Sequence, residues 1–455
     1  MNARLHSPHP NWQSRWTFVS AAGAMVLGIG NFWRLPWLAS EYGGLAWWAV
    51  YLACLFFVAA PLMLAEVALG RRGRGSPVFS MVQLVSESRA TPQWYWWAPL
   101  ASVTALSVLA VTAIVSAWCL HYALQMFAGE FTAVSVDTAA QRFNELTQTP
   151  EQMLGLTGVV LLVCFALVAL SVQVALARVL RVVLPVLLCL LAAGVYATVE
   201  VGDIDVAYEG LLGYRPGDLR PEGMVLAAVQ AVLTLGVGLG VMMVYGSYSP
   251  ERSIVWQVSW VVALDVITAV AGGLMVLGLT VHPDIRPGEG VARLFVSLPF
   301  NLGISVFGDM VGGLFFTCLS LLGITTMVAL CEPAISWLCE RWQIPRPIAA
   351  ALALAAALPL LAAHLLALSN IEWQWLGRPL VLWLDLLSAQ VLVPLCALLL
   401  ALFAAWRMQK NALMHEFGNQ SGLFFWLWLM VLRYISAPVL LLVLVAGIYI
   451  RLSMS

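Results

Sequence analysis

The sequence predicts an all-α polytopic membrane protein of about eleven transmembrane helices, a 5+5 inverted repeat with helices 1 and 6 broken, followed by one extra helix. Apolar residues make up 62% of the 455 residues and charged residues only 10%, and the mean hydropathy is +0.91. A soluble fold of that composition would expose far too much hydrocarbon to water. In addition, glycines interrupt two hydrophobic helices at matching places in the two halves of the chain.

Each predicted span contains roughly 20 mainly apolar residues, the length needed to cross a bilayer. The spans are 15–38, 45–70, 98–127, 152–172, 179–201, 223–248, 254–280, 308–339, 347–368, 381–406 and 423–450. Polar connections are expected at 71–97, 128–151, 202–222 and 281–307. The first of these ends in Trp94-Tyr95-Trp96-Trp97, a belt typical of the membrane interface.

The basic residues predict the orientation of the chain. With the N-terminus in the cytoplasm, about twice as many Arg and Lys residues lie on inner as on outer loops, as the positive-inside rule requires. The odd span count then places the C-terminus outside, in a multi-pass protein of the inner (plasma) membrane. The inner residues are Arg4, Arg15, Arg71, Arg72, Arg74, Arg89, Arg178, Arg181, Arg252, Arg341, Arg346, Arg407 and Lys410.

We expect a single transmembrane domain over residues 1–455. Its first repeat covers residues 1–201, its second covers 202–406, and 407–455 forms the extra C-terminal helix. Because each repeat has an odd number of spans, the two repeats face opposite ways across the membrane.

Charge, cysteine and histidine usage argue against other function classes. A net charge of −1 gives no sign of a nucleic-acid partner. The eight cysteines lie mostly in apolar runs and the six histidines show no ligand spacing, so neither a metal centre nor an enzyme is expected. No cleavable signal is visible between Met1 and Trp12.

The two interruptions are Gly28-Ile29-Gly30-Asn31 in span one and Thr234-Leu235-Gly236-Val237-Gly238 in span six. A helix broken within the bilayer leaves unpaired N–H and C=O groups, which cost about 2–7 kcal/mol each unless something polar fills the gap. Ions and a polar solute are natural occupants, and paired breaks indicate a transporter binding site. The alternative is that these glycines only allow close helix packing.

Isolated polar residues in the spans are further candidates. Thr325 and Thr326 either bond back to their own helix or supply oxygen ligands to sodium. Asp265 is an intramembrane carboxylate, functional by default unless it snorkels or pairs with another helix. Arg34 follows the first break and suggests a gate, whereas Glu66 is expected to hold neighbouring backbone N–H groups.

A series of motifs extends in order over nearly the whole chain. They are Gly28 to Pro36, Glu41 to Gly44, Pro61 through Glu66 to Arg71, Leu235 to Gly240, Val244 to Tyr248, Leu264-Asp265, Gly323 to Thr326 and Glu332-Pro333. Together they resemble the neurotransmitter:sodium symporter family, and the first motif is highly specific. An eleven-span length is similar to the shorter bacterial members.

The resemblance implies two sodium sites. The first would use the Val26 carbonyl with Asn31, Thr234 and Asp265. The second would use the Ala24, Leu27 and Leu322 carbonyls with the Thr325 and Thr326 hydroxyls. Sodium is therefore the expected coupling ion.

The resemblance also implies a substrate pocket between the broken helices, where backbone N–H groups near Ile29 and Gly30 would meet a substrate carboxylate. The implied contacts are Val26, Leu27, Ile29, Gly30, Val108, Thr112, Leu233, Thr234, Gly236, Leu239, Thr326 and Leu330. Thr112 replaces the family tyrosine that holds the carboxylate, and leucines replace two phenylalanines. The pocket is therefore expected to be larger and more aliphatic than in the family.

Chloride dependence stays open. Ala269 stands where family members carry either a glutamate, which makes transport independent of chloride, or a serine that helps bind chloride. Tyr51 and Gln230 match other chloride-site positions.

The predicted gate residues are Arg34, Asp385, Arg15, Glu340 and Tyr248. At the outer gate, the acid that partners Arg34 in the family aligns with Leu382, and Asp385 is its predicted substitute one turn away. At the inner gate, His9 takes the place of a usual arginine opposite Glu340, which would make that gate sensitive to pH.

These observations predict a sodium-coupled symporter that imports a neutral amino acid by alternating access, with a hydrophobic side chain favoured. Two alternatives remain: a sodium-coupled transporter of a small amine or a sulfonate osmolyte, and a non-transporting membrane sensor with the same fold. The expected partners are a small-molecule substrate and the lipid bilayer, and the sequence does not define the oligomeric state.

Overall fold

The computed structural model describes residues 12, 15–170, 185–196, 198–199, 203–249, 254–280, 291–304, 307–369, 373–375, 378–418 and 422–453. Five basic residues used for the predicted orientation and inner gate lie outside this part: Arg4, His9, Arg178, Arg181 and Arg252. The backbone of Arg15 is described, but its side chain is not.

Helices dominate the first half of the described chain. They are α1 (Arg15–Val26), α2 (Gly30–Glu41), α3 (Leu45–Cys54), α4 (Ala60–Gly73), α5 (Pro77–Ser88), α6 (Trp97–Phe127), α7 (Val136–Gln148), α8 (Pro150–Leu170), α9 (Pro185–Tyr196) and α10 (Ile204–Leu212). A π-helical turn, Leu55–Ala59, joins α3 to α4, and a 3₁₀ turn, Pro92–Trp96, leads into α6.

The second half follows the same pattern. Its helices are α11 (Pro221–Thr234), α12 (Val241–Tyr248), α13 (Ile254–Leu279), α14 (Leu298–Ile304), α15 (Gly308–Trp342), α16 (Arg346–Ser369), α17 (Leu380–Asp385), α18 (Val393–Leu402), α19 (Lys410–Glu416), α20 (Gly422–Val431) and α21 (Ala437–Ser453). A 3₁₀ turn lies at Pro216–Asp218, and π-helical turns lie at Arg293–Ser297, Leu386–Leu392, Phe403–Arg407 and Leu432–Ser436. Two short antiparallel strands, β1 (Gln374–Trp375) and β2 (Arg378–Pro379), precede α17.

The predicted spans correspond to these helices. In the described residues, eight helices or joined helices are long and apolar enough to cross a membrane, and the pair α1 and α2 forms a further crossing bent by 56°. The shorter apolar helix α9 and the pair α11 and α12 stand where spans five and six are predicted. The all-α multi-span prediction is therefore confirmed.

The polar connections contain four helices that the sequence did not predict. The helices α5, α7, α10 and α14 lie within the four intervals predicted as loops. Ser135 and Asp203 cap the starts of α7 and α10 by accepting backbone N–H groups, at 3.2 Å and 3.0 Å. Capping of this kind stabilises helices too short to be recognised by hydropathy.

The turn between α4 and α5 shows how local sequence sets helix ends. Arg74 adopts a left-handed conformation with φ of 49°, and its N–H donates to the Gly70 carbonyl at 2.9 Å, which closes α4. The Ser76 hydroxyl then caps α5, whose first residue is Pro77.

The broken spans are enclosed by other helices. The long helices α6 and α15 pack along each other, and α15 also contacts α1 and α12. The half-helices α1 and α2 pack on α13, whereas α11 and α12 pack on α3 and α4. Non-helical backbone at membrane depth is tolerated in such a position because protein, and not lipid, surrounds it.

Candidate ion and substrate site

The first break separates α1 from α2 at residues 27–29. The Leu27 N–H still bonds to the Gly23 carbonyl at 2.8 Å, and the Asn31 N–H bonds to the Gly28 carbonyl at 3.2 Å. Among the described residues, the N–H groups of Gly28, Ile29 and Gly30 have no backbone acceptor. Three consecutive free N–H groups at the start of α2 form an electropositive site that suits an anionic group.

The second break separates α11 from α12, and glycine is required by its backbone. Gly236, Gly238 and Gly240 have φ values of 59°, 82° and 78°, in the left-handed region that favours glycine. The Gly238 N–H donates to the buried Glu66 carboxylate at 2.7 Å. This bond agrees with the structural role expected for Glu66. By contrast, Gly28 and Gly30 do not have positive φ values, so the two breaks differ in how they are built.

Asp265 joins the two breaks through its carboxylate, which is fully buried. Its Oδ1 accepts hydrogen bonds from Asn31 Nδ2 and from the Thr234 hydroxyl, both at 2.8 Å. Its Oδ2 accepts from the Tyr51 hydroxyl at 2.9 Å. The Thr234 hydroxyl also lies 3.2 Å from Asn31 Oδ1. Three of the four residues predicted for the first sodium site are thus in direct contact, and the fourth, Val26, lines the adjacent cavity.

A second oxygen cluster lies between α1 and α15. The Thr326 hydroxyl is within hydrogen-bond distance of the Ala24 carbonyl, at 3.3 Å, and of the Leu322 carbonyl, at 3.0 Å. The Thr325 hydroxyl bonds to the same Leu322 carbonyl at 2.8 Å. Four of the five residues predicted for the second sodium site therefore meet, and the fifth, Leu27, is buried at the end of α1.

A cavity of about 200 Å³ opens beside both breaks. Eight of the predicted substrate contacts line it: Val26, Ile29, Gly30, Val108, Thr112, Leu233, Thr234 and Thr326. Several other residues line the cavity but were not predicted as substrate contacts, among them Met25, Val111, Val115, Trp33, Gln230 and Ser388. Four predicted contacts, Leu27, Gly236, Leu239 and Leu330, are not in the lining formed by the described residues.

Thr112 does not take over the role of the family tyrosine as a donor. Its hydroxyl donates to the Val108 carbonyl at 2.8 Å, the usual back-bonding of a threonine in a membrane helix. The next hydroxyl along the helix, that of Ser116, donates to the Thr112 carbonyl at 2.6 Å. The Thr112 hydroxyl hydrogen is thus already engaged, and the cavity is aliphatic on this side.

The predicted outer gate residues face the same cavity. Arg34 and Asp385 both line it, but in the described chain no nitrogen of Arg34 lies within 4.0 Å of the Asp385 carboxylate. Asp385 accepts instead from Gln390 Nε2 at 3.3 Å. Leu382, at the aligned family position, is 45% exposed.

At the opposite end of the breaks, Tyr248 belongs to a network that the sequence analysis did not assign. Its hydroxyl donates to the buried Glu332 at 2.8 Å, and Glu332 pairs with Arg346 at 2.5 Å. The Trp12 N–H donates to the Tyr248 carbonyl at 2.9 Å. Glu332 could have been found by the rule that singled out Asp265, because it too is an acid within a predicted span.

Glu340, the predicted inner-gate acid, receives the Ser76 N–H on both carboxylate oxygens at 3.0 Å. It therefore fixes the turn between α4 and α5 to the end of α15. Its proposed partner His9 and the Arg15 side chain lie outside the described residues.

Comparisons with known proteins identify the family of this chain. The model of the sodium:neurotransmitter symporter family matches residues 9–149 and 139–454. The chain is 25% identical over 440 residues to the uncharacterized sodium-dependent transporter YhdH of Bacillus subtilis, covering 95% of this chain and 96% of that protein. An uncharacterized sodium-dependent transporter of Haemophilus influenzae is 22% identical over 451 residues, covering 96% of this chain and 98% of that protein.

A solved structure shares the fold. The crystal structure of MhsT in complex with L-phenylalanine superposes with a TM-score of 0.89 at 24% sequence identity, covering 96% of this chain and 100% of that chain. The superposition confirms the fold class predicted from the sequence. The family match and the sodium-dependent relatives confirm the expected dependence on sodium. The family match extends over almost the whole chain, and this protein is a sodium-dependent transporter that belongs to the sodium:neurotransmitter symporter family.

Proposed function

We propose that this protein is a symporter that couples sodium entry to the import of a neutral amino acid with a hydrophobic side chain, by alternating access. The observation that carries the proposal is the cavity at the junction of both helix breaks. Asn31 and Thr234 line this cavity and at the same time bond to Asp265. Groups suited to an ion and groups suited to a solute are therefore next to each other.

The cavity lining supports the amino-acid class. The free N–H groups of residues 28–30 suit a carboxylate at the positive end of α2. The side of the cavity formed by α6 is aliphatic, with Val108, Val111 and Val115, and suits an apolar side chain. The related MhsT has been solved in complex with L-phenylalanine, a neutral amino acid with a hydrophobic side chain.

The coupling has an electrostatic basis. The substrate carboxylate loses its hydration when it is buried among the helix dipoles, which costs free energy. A sodium ion held nearby offsets part of this desolvation cost. Each ligand therefore strengthens the binding of the other. We assign the first ion to Val26, Asn31, Thr234 and Asp265, and the second to Ala24, Leu27, Leu322, Thr325 and Thr326.

We further propose that transport does not need chloride. The Tyr51 hydroxyl, at a predicted chloride-site position, donates to Asp265 at 2.9 Å. A carboxylate one helical turn before Ala269 can supply the negative charge that chloride supplies elsewhere in the family.

The remaining proposals concern gating and architecture. Arg34 and Asp385 would close the outer side of the cavity, and Tyr248 and Glu340, with Arg15, would close the inner side. Residues 1–201 and 202–406 would form the inverted repeats, followed by a C-terminal helix at 407–455. The N-terminus would be cytoplasmic and the C-terminus outside, in the plasma membrane.

A screen of substrates by thermal shift, repeated as uptake into proteoliposomes, tests the function. We expect hydrophobic amino acids to stabilise the protein and to be taken up in sodium buffer but not in choline buffer. Because Thr112 offers no free hydroxyl hydrogen, a substrate without a carboxylate is the second candidate, and amines and sulfonates form the second arm of the screen. Binding without uptake would support a non-transporting membrane sensor. If neither the amino acids nor the amines and sulfonates stabilise the protein, the proposed substrate class is refuted.

A further inference from the structure

Arg433 is a charged residue within the last apolar span. It lies eleven positions after Gly422, the first residue of α20, which places it about 16 Å along the helix. An arginine within an apolar span must face protein, water or a polar lipid group, because hydrocarbon cannot solvate it. The side chain of Arg433 is half-buried.

One edge of the Arg433 guanidinium is used by the protein. Its Nε donates to the Ala405 carbonyl at 2.7 Å, and Nη2 donates to the same oxygen. Ala405 lies in the π-helical turn that ends the preceding span, where carbonyls lack helical partners. The guanidinium carbon also lies 5.7 Å from the ring of Trp406, which is 47% exposed. The other terminal nitrogen, Nη1, has no hydrogen bond to the described residues.

A second cation lies on an aromatic ring along the same helix face. Lys410 Nζ is 4.9 Å from the ring of Trp426, which is 42% exposed. Trp426 and Arg433 are seven positions apart, so they share a face about 10 Å apart. Arg407 and Lys410 are exposed, and neither they nor Arg433 pair with a carboxylate in the described chain.

The nearest acid in sequence is already neutralised. Glu416, at the end of α19, pairs with Arg71 and Arg72, each at 3.5 Å. It therefore does not balance the charge of Arg407, Lys410 and Arg433.

We propose that Arg407, Lys410 and Arg433, with Trp406 and Trp426, bind the headgroup phosphate of an anionic phospholipid. Nη1 of Arg433 and the Lys410 ammonium can donate hydrogen bonds to the oxygens of a phosphate diester. Trp406 and Arg407 end the preceding span, a position where tryptophans are typical of the headgroup level.

The neighbouring side chains identify the ligand as a lipid. Leu441, Leu442 and Val445 follow Arg433 in α21 and are 53%, 63% and 60% exposed. They offer an apolar surface to an acyl chain that extends into the bilayer from the phosphate donors. A free phosphate ion has no apolar part that could contact this surface.

Native mass spectrometry of the full-length protein tests the site. Phosphatidylglycerol and phosphatidylcholine are titrated separately, and the number of bound lipids per chain is counted. We expect tighter binding of phosphatidylglycerol. The double variant Arg407→Gln/Lys410→Gln leaves the bond from Arg433 to Ala405 intact and should raise the apparent Kd for phosphatidylglycerol about 25-fold, at about fivefold per basic residue.

The matched control is Arg89→Gln/Arg341→Gln, which removes the same charge at two exposed arginines elsewhere and should leave the apparent Kd unchanged. A third variant, Arg433→Gln, should weaken binding further if it remains folded, and the double variant decides the question if it does not. Equal weakening by the control, no weakening by the double variant, or displacement of the lipid by inorganic phosphate would each overturn the proposal.

Discussion

The substitution Asp265→Asn removes one buried negative charge and keeps the shape of the side chain. The carboxylate accepts three hydrogen bonds, from Asn31, Thr234 and Tyr51, at 2.8, 2.8 and 2.9 Å. An asparagine can retain the two bonds to its oxygen, and the Tyr51 hydroxyl can turn to accept from the new amide. The variant should therefore fold, and its primary defect should be in sodium binding.

The expected magnitude follows from the burial of the carboxylate. Losing one partner of a buried charge pair costs about 3–5 kcal/mol. The lower end applies here because three donors already stabilise the carboxylate when no ion is bound. About 3 kcal/mol corresponds to a loss of roughly 100-fold in sodium affinity, at 1.4 kcal/mol per factor of ten.

The assay is sodium-dependent uptake into proteoliposomes, with external sodium varied against choline to obtain the half-saturating concentration. Asp309→Asn serves as control, because Asp309 accepts a bond from Thr132 at 2.6 Å outside the candidate site. Sodium affinity equal to that of the wild type would refute the assigned ion site. Replacing chloride by gluconate adds a second measurement: the wild type should be indifferent, whereas Asp265→Asn should be stimulated by chloride because the site lacks its own anion.

Three further substitutions test other parts of the site. Gly238→Ala should abolish uptake and lower the free energy of unfolding by at least about 1–2 kcal/mol, because an alanine is strained at a φ of 82° and its Cβ meets the backbone of α18. Its control in the same thermal-melt series is Gly155→Ala, where an added Cβ meets nothing within 4 Å. Thr326→Val should weaken sodium binding about tenfold by removing one oxygen ligand. Thr317 is a back-bonded threonine on the same helix, so Thr317→Val should leave sodium affinity unchanged, and equal effects of the two variants on uptake would argue against the second ion site. Tyr248→Phe removes the 2.8 Å bond to the buried Glu332 carboxylate and should lower the free energy of unfolding by about 1.5–3 kcal/mol. An unchanged chemical-denaturation midpoint would show that this bond does not stabilise the fold.

The glycine pattern shows what sequence can predict about the breaks. The alternating glycines of the second break meet a stereochemical requirement, because only glycine adopts repeated left-handed conformations without strain. Gly28 and Gly30 meet no such requirement: both have negative φ, and a Cβ on Gly30 would approach the Gln230 side chain at 3.8 Å. The sequence places both breaks correctly, but the reasons for glycine differ and only the structure distinguishes them.

Contacts between distant helices were harder to predict. The bond from Tyr51 to Asp265 joins residues 214 positions apart, and no local pattern indicates it. Spans that are apolar on every side carry no periodicity to show which face is inward. The same reason explains why Leu239 and Leu330 were expected in the cavity lining, whereas Met25 and Val111 were found there.

The contacts of Asp265 also explain how an ion and a substrate can influence each other in this fold. Asn31 bonds to Asp265 through its side chain and belongs to the first turn of α2, whose free N–H groups suit the substrate. Thr234, the last residue of α11, bonds to the same carboxylate oxygen. We propose that an ion bound at Asp265 would hold the ends of both broken helices more firmly, so that part of the entropy of ordering the substrate site would be lost before the substrate binds. Because coupling free energy is reciprocal, the substrate must raise sodium affinity by the same factor by which sodium raises substrate affinity. Equilibrium binding of each ligand at several concentrations of the other measures this factor from both sides, and a factor of one would refute the proposed coupling.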